Sequence, residues 1–112
     1  MKLAKRTDNT LQGSLELLIL KTLEHGSNHG FGITVHVQTA SEGLLQVEEG
    51  SLYPALHRME KEKLIAGSWK TTENGRRARF YTLTGAGEKR LAAARSTWKT
   101  VARGVKKVLR FA

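Results

Sequence analysis

The C-terminal quarter of the chain carries an apolar pattern that one small domain cannot bury alone. Six residues recur there at spacings of 3, 4, 3, 4 and 3 within a helix predicted over residues 86–109, a pattern typical of a helix packed against another helix. A chain of 112 residues buries only a modest core, so the simplest partner is the same helix of a second copy. We predict a dimerisation helix at residues 85–112, with a seam at Leu91, Ala94, Trp98, Val101, Val105 and Val108.

Basic residues are in excess and unevenly placed. The chain has 19 Lys and Arg against 10 Asp and Glu, a formal charge of +9, which favours nucleic acid as a partner and, second, an anionic membrane. The absence of cysteine excludes disulfides and thiolate chemistry. No apolar run approaches the length of a membrane span, and no signal-peptide pattern follows the charged N-terminus. We therefore expect a soluble, cytoplasmic protein.

Periodic patterns organise the first two thirds of the chain. Residues 10–25 repeat leucines at helical spacing. Residues 28–41 fit a strand by alternation and a helix by i, i+4 spacing, so the pattern leaves both open. Residues 50–64 are predicted to form a helix with Ser51 as N-cap and Pro54 in its first turn. Its inner face would hold Leu52, Leu56, Met59 and Lys63, and its outer face Tyr53, His57, Glu60 and Lys61.

Asn74 and Gly75 predict a β-hairpin between residues 69–72 and 77–83, because both positions tolerate positive φ. A two-residue turn would place Trp69 opposite Phe80 and Lys70 opposite Arg79, and a longer loop would shift this register. Thr84 is a candidate N-cap for the last helix. Three helices, a hairpin and a long helix give a mainly α fold with a small β-hairpin. We interpret this order as a winged helix-turn-helix followed by the dimerisation helix.

The outer face of the third helix and the hairpin tip supply candidate DNA contacts. Tyr53 can donate to a phosphate, and Arg58 can reach phosphate or guanine. A helix N-terminus at Ser51 favours phosphate, and arginines beside a tight turn suit a wing that follows the DNA backbone or enters a minor groove. The predicted DNA-binding residues are Ser51, Tyr53, His57, Arg58, Lys61, Lys70, Arg76, Arg77 and Arg79.

Four stretches resemble the PadR family of transcriptional regulators. They are QGSLELLIL at residues 12–20, HGFGI at 29–33, GSLYPALHRME at 50–60, and RARFYTLT at 77–84 with Gly87 following. The resemblance, closest to the short subfamily with one C-terminal dimerisation helix, implies a cytosolic homodimer that binds pseudo-palindromic operators, mostly as a repressor. It also implies that residues 28–41 are helical. A small aromatic effector is implied as well, for which Trp98 is the candidate residue.

Other chemistries find little support in the sequence. His25 and His29 straddle Gly26, so no single helix presents them to a metal, and the pairs Glu48–Glu49 and Glu60–Glu62 are interpreted as solvated. We expect no catalytic residue, metal or cofactor, and hence no enzyme. The alternatives are a membrane-surface module acting through the last helix and an RNA-binding module. The predicted organisation is a basic arm at residues 1–9, a winged-helix DNA-binding domain at 10–84 and the dimerisation helix at 85–112.

Overall fold

A computed structural model describes residues 9–111, with side chains from residue 14 onward. The predicted mainly helical fold, with a β-hairpin and a long last helix, is confirmed. The predicted N-terminal arm lies outside the described residues except for Asn9, where the first helix begins. The elements follow in the order α1 (Asn9–Glu24), β1 (Asn28–His29), α2 (Gly30–Ala40), α3 (Glu49–Lys61), β2 (Ile65–Thr71), β3 (Arg77–Leu83) and α4 (Gly85–Arg110).

One hydrophobic core joins every helix to the β2–β3 hairpin. α1 supplies it at the predicted helical spacing, while its Leu17 and Leu18 pack at the margin. Each large side chain that is fully buried contributes about 1.5–3 kcal/mol to the free energy of unfolding. The core therefore holds α3 in place by one face and leaves its other face exposed. The buried apolar residues are Leu15, Ile19, Leu20, Leu23, Ile33, Val37, Val47, Leu52, Ala55, Leu56, Met59, Leu64, Ile65, Tyr81 and Leu91.

The segment that the residue pattern left open forms a helix, as the family resemblance implied. Ile33 and Val37 are buried, whereas Phe31 and Val35 are exposed, so burial follows the i, i+4 spacing rather than the alternation of a strand. His29 is the N-cap of α2, and its Nδ1 accepts a hydrogen bond from the Gly32 N–H at 3.1 Å. Burial against the core therefore overrides the strand preference of β-branched residues.

The sheet has three strands within the described residues, in the order β1-β3-β2. The short strand β1 was not predicted, and it pairs His29 with Phe80. In the hairpin, Trp69 lies opposite Arg79 and Lys70 opposite Ala78, so the register is that of the longer-loop alternative, shifted by one residue from that of a two-residue turn. The cause is a three-residue loop in which the Gly75 N–H donates to the Thr72 carbonyl at 2.9 Å and Gly75 has φ +81°. These features are typical of a type I turn followed by a left-handed residue.

α4 begins in tight contact with the end of α3. The predicted N-cap Thr84 is confirmed, because its Oγ1 accepts a hydrogen bond from the Gly87 N–H at 3.0 Å. The same hydroxyl lies 2.9 Å from the Leu64 carbonyl oxygen, to which the Thr84 N–H also donates at 3.1 Å. A Cβ on Gly87 would come within 2.1 Å of that oxygen. Only glycine fits this approach of α4 to the α3–β2 connection.

Candidate nucleic-acid interface

α3 has a buried face and an exposed face, as the sequence predicted for most of its residues. Tyr53 is 47% exposed, His57 and Lys61 are also exposed, and Arg58 is half-buried. Lys63 is an exception, because α3 ends at Lys61 and Lys63 is an exposed residue with left-handed backbone, at φ +64°. The buried face consists of Leu52, Ala55, Leu56 and Met59.

The start of α3 differs from the prediction. The N-cap is Glu48, which makes no side-chain capping bond, and Ser51 lies inside the first turn, where its N–H donates to the Glu48 carbonyl at 3.0 Å. Pro54 therefore lies beyond the first turn, inside the helix. It cannot donate to the carbonyl of Gly50, and both residues are exposed, so water can reach that oxygen. The carboxylates of Glu48 and Glu49 at this terminus offset its attraction for phosphate.

Tyr53 is held against the beginning of α2. A Cβ on Gly30 would lie 2.8 Å from both Cε1 and the hydroxyl oxygen of Tyr53. Gly30 is itself buried, whereas about half of Tyr53 remains open to solvent. The absence of a side chain at position 30 therefore sets where the phenol of the exposed α3 face can lie.

The hairpin β2–β3, called the wing from here on, presents its basic residues on two faces. Arg76 and Arg77 are exposed at or beside the loop. Lys70 is on the opposite face from Arg77, with its Nζ 5.6 Å from the centre of the Phe80 ring. Arg77 and Arg79 share the other face, where both guanidinium groups lie over the Trp69 ring. The structure thus brings these two arginines together and separates Lys70 from them.

A groove between α3 and the wing contains an ion pair that was not predicted. Arg79 Nη2 donates to Glu60 Oε2 at 2.5 Å, so the interpretation of Glu60 as a solvated carboxylate is wrong. This hydrogen bond raises the pKa of Arg79. Burial, followed by the negative charge of Glu60, raises the pKa of Tyr81 above its ordinary value. The groove is lined by His57, Glu60, Lys61, Trp69, Arg79 and Tyr81.

The predicted seam of α4 divides into two parts. Leu91 is only 3% exposed and belongs to the chain's own core, so the expectation that the domain leaves it uncovered is wrong. Ala94 is half-buried. From there onward the seam is open to solvent, at Trp98, Val101, Val105 and Val108.

Comparison with known proteins assigns this chain to a family. The family model described as the transcriptional regulator PadR-like family matches residues 19–93. The chain belongs to this family. A PadR-like transcriptional regulator from Bacillus cereus shares 30% identity, covers 94% of this chain and all of its own (100%), and superposes with a TM-score of 0.76.

Two further relatives are more distant. A transcriptional regulator from Clostridium thermocellum has a TM-score of 0.80 at 24% identity, with 89% of this chain and 97% of that one covered, and it shows the fold alone. An uncharacterized protein of Lysinibacillus sphaericus is 23% identical over 91 residues, which are 81% of this chain and 84% of its own.

Membership in the PadR-like family makes this chain a DNA-binding transcriptional regulator and not an enzyme. Within residues 9–111, no helix is both long and apolar enough to cross a membrane. In the same part of the chain, no three histidine or carboxylate side chains are grouped so that they could hold a metal ion.

Sequence reasoning missed Glu60 and Gly30 as parts of the candidate interface. Glu60 is 19 residues from Arg79, and only the position of the wing brings the two side chains together. Gly30 carries no chemistry of its own, and the HGFGI stretch gives no indication that it contacts α3. The one signal in the sequence that points to Glu60 is that it is acidic on a helix face that is otherwise basic and aromatic.

Proposed function

We propose that this PadR-like protein is a sequence-specific regulator that binds a pseudo-palindromic operator as a homodimer and represses transcription until a small aromatic effector binds. The observation that carries the proposal is the shared surface of α3 and the wing. His57 and Lys61 of α3 line the same groove as Trp69 and Arg79 of the wing. A helix and an adjacent basic hairpin can together bind a major groove and the flanking backbone.

Within this surface, we assign base reading to α3 and positioning to the wing. Tyr53, His57, Arg58 and Lys61 lie on the exposed or half-buried part of α3, which can face base edges. The side-chain hydroxyl of Ser51, rather than the helix terminus, is assigned to phosphate contacts together with the wing residues Lys70, Arg76 and Arg77. Positioning contacts bind all sequences alike, whereas base contacts discriminate between them.

The exposed seam of α4 supports the homodimer. Trp98 and three valines leave an exposed apolar row on a helix that also carries eight Lys and Arg residues. Two copies joined through this row would carry two recognition helices, with half-sites roughly one helical turn (~34 Å) apart. In this proposal residues 10–84 form the DNA-binding domain, residues 85–112 form the dimerisation helix, and Trp98 stacks on the effector. The site of action is the cytoplasm, where the operator is found.

Selection from random duplexes tests the proposal, with enrichment of an inverted repeat as the expected result. The double variant Tyr53→Phe/Arg58→Ala should lose much more affinity for the operator than for random DNA. The matched variant Arg76→Ala/Arg77→Ala should weaken both and flatten the salt dependence. Preference for RNA, or salt-resistant binding to anionic liposomes without duplex binding, would instead support the alternative modules.

The effector is tested by tryptophan fluorescence. Planar aromatic compounds should quench Trp98, and the Trp98→Phe variant should lose this response. Trp69 is the internal control, because it lies on the wing and should not respond.

A further inference from the structure

Arg79 differs from the other arginines of the wing in what surrounds its guanidinium. Its Nη2 lies 2.5 Å from Glu60 Oε2, and its guanidinium carbon lies 5.7 Å from the centre of the Trp69 ring. A Cβ on Gly67 would come within 2.8 Å of both Nε and Nη2. The side chains of Arg79 and Glu60 are only 33% and 29% exposed. Arg79 therefore connects β3 to α3 within one subunit.

Arg77 is placed differently although it is only two residues away. Its guanidinium carbon lies 5.2 Å from the centre of the same Trp69 ring, and the residue is exposed. Among the described residues, no carboxylate forms an ion pair with it. Because strand residues two apart share a face, Trp69 contacts both arginines, but only Arg79 is neutralised.

We propose that Glu60, Arg79 and Trp69 form a clamp, called the wing clamp, that fixes the wing relative to α3 and directs Arg77 toward the DNA. In this assignment, which rests on the proposed operator binding, Glu60, Arg79 and Trp69 are positioning residues. Arg79 is then not a phosphate contact, unlike the assignment made from the sequence.

Three physical arguments support the wing clamp. Beyond the pairing of β1 with Phe80 and Tyr81 the wing is only two-stranded. A two-stranded ribbon is marginally stable by itself, so this distal part of the wing needs a link to a rigid element to hold one orientation. Cation–aromatic contacts within about 6 Å are attractive, and they hold Arg77 over Trp69 before DNA arrives. Such preorganisation lowers the entropic cost of binding. The pairing of Glu60 also removes a carboxylate charge that would otherwise repel phosphates near α3.

Salt dependence on random-sequence duplex separates a clamp from a phosphate contact. The charge-conserving double variant Glu60→Gln/Arg79→Gln should keep the parent's log–log slope, while its preference for operator over random DNA falls several-fold. The control Arg77→Gln should reduce the slope by about 0.9, the value for one phosphate. The single variant Glu60→Gln releases Arg79, so it should steepen the slope by about 0.9 and tighten binding to random DNA.

Either of two results would overturn the wing clamp. A double variant whose slope falls as far as that of Arg77→Gln would make Arg79 a phosphate contact. A double variant with the parent's slope and the parent's preference for the operator would show that the Glu60–Arg79 pair positions nothing.

A readout without DNA distinguishes failure of the wing clamp from failure of the proposed function. In a Trp98→Phe background, Trp69 is the sole remaining tryptophan. Quenching of Trp69 by acrylamide should increase when the Glu60→Gln/Arg79→Gln change is added, because the ring loses one of its two guanidinium contacts. Unchanged quenching would refute the wing clamp even if operator binding is found. A parent protein that binds no duplex would refute the proposed function and leave this fluorescence result to be judged alone.

Discussion

Replacing Val105 with serine should weaken the proposed dimer by a predictable amount. Val105 is 50% exposed in the single chain, so a partner can bury about half of its surface. Full burial of a valine side chain contributes about 1.5–3 kcal/mol, and half of it about 1 kcal/mol. Two-fold symmetry repeats the loss in both subunits. The total of about 2 kcal/mol corresponds to a roughly thirtyfold increase in the dimer dissociation constant.

Sedimentation equilibrium over a range of protein concentrations measures this change. Ala92→Ser is the matched control, because Ala92 is exposed and lies on the other side of α4 at 3.6 residues per turn. The control should dissociate like the parent. An unchanged dissociation constant for Val105→Ser would refute a seam through α4 and move the interface elsewhere, with α1 the next candidate. Truncation after Gly87 is a poorer test, because it also removes Leu91 from the core.

Three further changes test the geometry of the site. Gly87→Ala should destabilise the chain to urea by about 1–3 kcal/mol, because its Cβ would meet a carbonyl oxygen at 2.1 Å. Gly85→Ala, with nothing within 4 Å of the added atom, should be nearly neutral, and equal losses would contradict the close approach. Gly30→Ala should displace Tyr53 and weaken operator binding several-fold with an unchanged circular dichroism spectrum; parental affinity would show that the contact is unimportant. Burial and the nearby Glu60 charge raise the pKa of Tyr81 above its ordinary value of 10.0. The folded state therefore favours the protonated phenol. The resulting contribution to the free energy of unfolding is fully present below pH 10 and is lost as pH rises through the folded pKa. Denaturation across alkaline pH should show that loss in the parent and a smaller one in Tyr81→Phe.

The features predicted from sequence were those set by local periodicity and capping. The inner face of α3 followed from residues recurring at helical spacing, and Thr84 followed from the preference of helix starts for a hydroxyl. Features that depend on the rest of the fold were missed or misplaced. Asn74-Gly75 fits both a two-residue turn and a three-residue loop, and only the observed loop fixes the register. β1 has two residues, too few to give any alternation.

The candidate site shows the same division. The aromatic and basic character of α3 was visible in the sequence, because it depends only on which residues share a helix face. Ser51 was misplaced as the N-cap because Ser is a common capping residue, whereas Glu48 in extended backbone begins the helix without a side-chain bond. The Glu60–Arg79 pair could not be predicted, since both partners look like ordinary surface charges until the wing is placed beside α3.

The close approach at Gly87 holds the start of α4 against the connection between α3 and β2. α4 continues for about 35 Å beyond Gly87, and backbone atoms fill the space at the joint. A tilt of one degree about this joint would move the far end of the helix by about 0.6 Å. In any dimer formed through the distal part of α4, sub-ångström adjustments between the paired helices would therefore change the angle and separation of the two α3 helices. The fit to a fixed operator spacing would then respond to events tens of ångströms from the DNA.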